Sequence, residues 1–184
     1  FMALQILRTA EHREDMLELD QKLENAVMKM VHRINEVKGT SYTAEEVGIK
    51  FNREITISRH QLMLNDTEHV KTLAEILSRH IWHLAVNETS EPLYTSDNPV
   101  VKHANMKEDW RSNTGFASLG IEIAFPLSSK YLLVLWERTY FQRALSWDGT
   151  IRWLKPENVT YYNSLQIDQC YRQIFCEKPS FDLA

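Results

Sequence analysis

Five glycines in 184 residues leave little material for phosphate-cradling loops. Neither a G-x-G-x-x-G string nor a P-loop occurs, which excludes nucleotide binding through those folds. Cysteine is scarcer still. Cys170 and Cys176 are the two present, and no C-x-x-C pair offers metal or redox chemistry. They lie six residues apart in a segment that reads as helix, an offset that does not bring their side chains together. Both are therefore expected as free thiols in an intracellular, cytoplasmic protein. No apolar run approaches the roughly 18 residues of a membrane-spanning helix, so no membrane partner is expected. A net charge of −4 lacks the basic balance typical of general nucleic-acid binding.

What the chain does hold is an ordinary globular composition. With 43% hydrophobic and 25% charged residues, it has enough apolar material for one substantial core under a solvated surface. A single domain over 1–184 is expected: a mainly helical part (2–90), a sheet part (91–157) and a closing helix (158–178). The chain opens at Phe1 rather than a methionine, and it is expected to be a fragment of a longer protein.

Residues 2–37 read as one long helix with a bend. Met16, Leu23, Met30 and Val37 recur every seven residues, with Leu19, Ala26, Val27 and Ile34 between them, giving one apolar stripe. The stripe packs on the domain or joins two copies in a coiled coil, a homo-oligomer through the N-terminal helix. Gly39 stops the helix. Thr43 with Glu46 has the form of a capping box, predicting a short helix from Ala44 to about Phe51. Asn65 with Glu68 has the same form, and the spacing from Val70 to Leu84 predicts helix through about His83. The stretch 54–64 is read as mostly helix.

The second half changes character. Leu93–Thr95, 120–126 and Tyr131–Trp136 read as strands, the last as a central one, with a hairpin at Pro126–Lys130. Asp148-Gly149 between two apolar triplets predicts a second hairpin, and 158–175 returns to helical spacing. Helices, then sheet, then helix favour an α+β fold: long N-terminal helices on a mainly antiparallel sheet, closed by a C-terminal helix.

The most concentrated chemistry is Thr95-Ser96-Asp97-Asn98-Pro99, two hydroxyls, a carboxylate and an amide at a strand end. Strand-end loops are where scaffolds present functional groups, which makes Ser96, Asp97 and Asn98 candidate catalytic residues. The same string is also a turn with a mechanism. Asp and Asn bond their own backbone, and the residue before proline is held extended. Arg8, Arg13 and Arg172 offer guanidinium forks for an anionic ligand or, alternatively, ordinary ion pairs.

Other constellations are weaker. His80 and His83 at i, i+3, with His103 and Asp97, form no recognised metal string, and no metal is expected. Glu122 lacks the lysine two residues on that a nuclease E-x-K arrangement needs. Ser96 lacks a G-x-S-x-G elbow. Five tryptophans suggest stacking platforms, but Trp136 falls in a core strand, and Trp147 with Trp153 reads as a cross-strand pair. No motif names a cofactor.

Four segments, 1–14, 92–100, 121–135 and 161–176, together resemble the domain-of-unknown-function 4238 family. The T-S-D-N-P string after a short strand is the most specific, and F-P-L at 125–127, Asn163 and Arg172 follow in order. The resemblance implies a shared fold and a shared site, to which Asn163 would add a ligand-binding amide. Members usually carry an amino-terminal region that would precede Phe1. The function expected is a ligand-binding or hydrolytic domain for an anionic or phosphorylated substrate, centred on the TSDNP turn. The alternative is a non-catalytic interaction or oligomerisation module built on the long N-terminal helix.

Overall fold

The computed structural model describes residues 1–50, 58, 66–106 and 114–178. Its centre is a five-stranded sheet in the order β3-β4-β5-β1-β6. The strands are β1 (Ile81–Val86), β3 (Val101–Ala104), β4 (Ile121–Pro126), β5 (Tyr131–Trp136) and β6 (Thr150–Trp153); β2 (Thr95–Ser96) pairs separately with β7 (Ile174–Phe175). Pairing is antiparallel except between β1 and β6, which run parallel. The architecture is α+β, with β5 in the middle as its continuous apolar run requires.

Helices cover both faces. On one, α1 (Met2–Leu7) and α3 (Thr67–Ser78) supply Met2, Ala3, Ile6 and Leu77 to a core with Ile121, Ile123, Phe125 and Leu135. On the other, α4 (Pro156–Gln169) buries Val159, Tyr162 and Leu165 against Ala85, Val101, Ala124, Leu132 and Val134. The period-two alternation of β4 and β5 feeds these two cores in turn.

The first helix is broken rather than bent. Thr9 ends α1 and begins α2 (Ala10–Lys38): its hydroxyl donates to the Ile6 carbonyl at 2.9 Å and accepts from the His12 N–H at 3.1 Å. A threonine that serves two helix ends at once fixes the corner. Gly39, at φ 64°, then closes α2 in the left-handed conformation that favours glycine.

Several expectations need correction. The Thr43–Glu46 capping bonds form, but they hold a turn over 44–48 instead of a helix. Asp66, not Asn65, caps α3 through the Glu68 N–H; Asn65 and the stretch 54–64 fall outside the described residues, Ser58 apart. The helix ends at Ser78, and Ile81–Val86 is strand β1 at the heart of the sheet. Its apolar spacing fits either period, and burial between β5 and β6 decides for strand.

Asp148-Gly149 makes no hairpin. Residues Gln142–Trp147 form a 3-10 helix, and the Asp148 carboxylate accepts from the Trp82 N–H at 2.9 Å and pairs with Arg138. Those bonds hold it below the usual carboxylate range, the Trp82 bond contributing most. Gly149 donates to the Trp82 carbonyl at 2.7 Å, which starts β6 alongside β1. Trp147 therefore packs on Trp136, centroids 5.2 Å apart, while Trp153 is exposed. Cys170 follows the end of α4 and Cys176 follows β7, not one helix; both are free thiols.

Candidate functional site

The TSDNP string is held by α4, and the device that holds it is a row of side-chain amides. Asn163, Gln166 and Gln169 stand three residues apart, so they share one helix face. Asn163 accepts from the Tyr94 N–H at 2.8 Å and donates to the Pro92 carbonyl at 2.9 Å. Gln166 accepts from the Ser96 hydroxyl at 2.8 Å and donates to the Pro99 carbonyl at 2.9 Å. Gln169 accepts from the Lys102 N–H at 2.9 Å and donates to the Lys102 carbonyl at 2.8 Å, covering the outer edge of β3 as a strand would. Segment 92–102 thus meets helix side chains where a sheet would supply backbone.

Asp97 completes the clasp. Its two carboxylate oxygens accept from the Tyr171 and Arg172 N–H groups, both at 2.9 Å, and its own N–H donates to the Gln173 carbonyl at 3.1 Å. These bonds hold the turn after α4 and align β2 with β7. The Ser96 hydroxyl is buried and donates a hydrogen bond to the Gln166 side-chain oxygen while accepting from the Asn98 N–H. Asn98 donates to the Gln169 carbonyl at the end of α4.

Arg8, Arg13 and Arg172 are exposed, and the Arg172 guanidinium lies 4.8 Å from the Tyr171 ring. Asn163 is buried, with both ends of its amide on backbone. The histidines separate. His80 follows α3, with Nδ1 3.1 Å from the Ile76 carbonyl, and His83 sits on β1 against Trp136 and Trp147. His103, on β3, meets the Tyr161 ring edge-on. Among the described residues no three His, Cys, Asp or Glu side chains are grouped to hold a metal ion. No described helix is long and apolar enough to cross a membrane.

A cavity of about 270 Å³ opens beside the clasp, between the first turns of α2 and the 98–102 segment. Its chemistry comes from Glu11, Asp15, Asn98, Lys102 and Asp168, with Phe116 as an apolar wall. Of the residues predicted from sequence, only Asn98 lines it.

The charges in this cavity are held apart. The Lys102 ammonium lies 4.5 Å from the centre of the Phe116 ring, and no described carboxylate lies within ion-pair distance of it. Burial lowers the Lys102 pKa, partly offset by Asp15 and Glu11. Glu11 moves the opposite way: burial raises it most, followed by Asp15, Asp97 and Glu14, against a smaller pull from Lys102. Glu11 and Asp15 stand one helical turn apart, where like charges repel. Polar groups of both signs around one concave space can orient a small ligand that carries both signs itself.

Sequence reasoning missed Glu11, Asp15, Lys102 and Asp168 because none lies in a recognisable string. The i, i+4 acids at the start of α2 were legible as a pair, but their partner across the cleft was not.

No curated protein and no solved structure matches the chain. The family model described as "Protein of unknown function (DUF4238)" matches residues 1–180. With its strand-end clasp set in an α+β fold over nearly its whole length, the chain belongs to the DUF4238 family.

Proposed function

We propose that the chain is a binding domain for a small zwitterionic ligand, seated in the cleft between the start of α2 and the Asn98–Lys102 segment. The observation that carries this reading is the Lys102 ammonium, drawn into a partly buried place without a paired carboxylate, opposite Glu11 and Asp15. An anionic group on Lys102 and an ammonium between the acids would relieve both shifts at once. The reading keeps an anionic recognition element and moves its anchor from the arginines to Lys102. Asp97 and Ser96 become the scaffold of the site, because their polar atoms are engaged in the clasp.

The test is titration of small amino acids into the protein, followed by calorimetry. Replacing Lys102→Gln should weaken binding about tenfold or more, the worth of one charge-assisted bond. Equal affinity of the native and K102Q proteins for every amino acid tried would overturn the proposal.

A second reading, self-association through α2, draws on a separate observation. Val31 is the one buried residue of this 29-residue helix, while Leu23, Met30 and Val37 are 58%, 64% and 80% exposed. The heptad recurrence of these residues suits a second copy of the same helix. Sedimentation should then show a concentration-dependent dimer that Leu23→Asp abolishes; a monomer at high concentration would sink it.

A further inference from the structure

The charged cavity has a neighbour. A second cavity, of about 420 Å³, lies between α1, the start of α2 and α3, and Ile6, His12 and Phe116 line it and the first cavity alike. Its other walls are mainly apolar, with Leu7, Leu73 and Ile76 facing Phe116, and Asp66, Glu68 and His69 stand among its remaining lining residues. Phe116 thus presents its ring to the Lys102 ammonium while also lining the apolar chamber. One side chain stands between a polar compartment and an apolar one.

This arrangement follows from how α1 meets α2. The Thr9 corner turns the chain sharply, so Ile6 and Leu7 face α3 while Glu11 and Asp15 face β3 and the end of α4. The two chambers are the two sides of one corner. Apolar surface beside a charged anchor is the composition of sites that hold an amphipathic small molecule, where the polar groups orient and the apolar wall supplies affinity.

We infer that the ligand is an amphiphilic zwitterion, an α-amino acid with an extended apolar side chain or a close chemical equivalent. Its charged head lies against Lys102, Glu11 and Asp15, and its apolar part lies past Phe116 against Leu73 and Ile76. The inference rests on the zwitterion reading above and names the ligand class for the same site.

The experiment is a homologous series, with glycine, alanine, 2-aminobutanoate, norvaline and norleucine titrated into the native protein and into L73W, I76W and K102Q. In the native protein, affinity should rise about fourfold per added methylene, the transfer value of a buried CH₂. In L73W and I76W, two independent ways of filling the chamber, the increments, read against each variant's own glycine affinity, should vanish. A flat series in the native protein, with glycine still bound and weakened by K102Q, would overturn the apolar chamber and leave the charged site standing. A rising series indifferent to K102Q would overturn the charged site instead, and no binding by any member would overturn both.

Discussion

Asp97 shows how one side chain of a suggestive motif can be spent on architecture. A carboxylate that accepts two backbone N–H groups 74 and 75 residues away ties two distant segments together. Asp97→Ala leaves two N–H donors without their partner, and each such bond to a charged group is worth ~1.5–3 kcal/mol. The variant is expected to lose about 3 kcal/mol of stability in urea unfolding; a loss below about 1 kcal/mol would mean the clasp is dispensable. His83 makes a second prediction at this scale. Burial among Trp136 and Trp147, helped by the nearby Arg152 charge, lowers its pKa from 6.5 to about 4. The folded protein therefore binds fewer protons than the unfolded chain between those values, so stability is full above about pH 6.5 and falls as the pH drops towards 4. One group shifted this far accounts for roughly 3 kcal/mol. His83→Phe should flatten that part of the pH–stability curve; an unchanged slope would assign it to other groups.

Among the elements, α4 carries the most information per residue. Its amide row, Asn163, Gln166 and Gln169, was only partly legible in the sequence. Asn163 was marked out by the family resemblance, but nothing in the sequence singles out the two glutamines, because a helix pattern cannot say which polar side chains meet buried backbone. Hydrogen exchange measures the row directly. Gln169→Ala should speed exchange of the Lys102 amide by tenfold or more, since the loss of one bond is worth ~1–1.5 kcal/mol, and exchange at Tyr94 should stay as it was. Acceleration at both amides would show that α4 detaches as a unit. The strands were read unevenly for physical reasons. β4 and β5 are apolar runs bounded by Gly120, Pro126 and a short turn, and their pairing is local. β1 and β6 take their identity from distant partners: β1 lies between β5 and β6, and Asp148 serves the Trp82 backbone rather than a hairpin.

For the molecule as a whole, the α+β order of helices, sheet and helix was legible from periodicity, whereas the cleft was not. Its walls come from the α1–α2 corner, the 98–102 segment, Phe116 and the end of α4, four stretches that only the closed fold brings together. The TSDNP string lies beside the cleft, and Asn98 is its contribution to the cavity wall. The charged residues beside it, Lys102 above all, carry the proposed recognition. Shift mapping in ¹H–¹⁵N spectra during a norleucine titration tests this most directly. The predicted result is a saturable set of shifts confined to residues 6–15, 73–76, 98–102, 116 and 168–170. Shifts absent at saturating ligand, or centred on another surface such as β6, would contradict it.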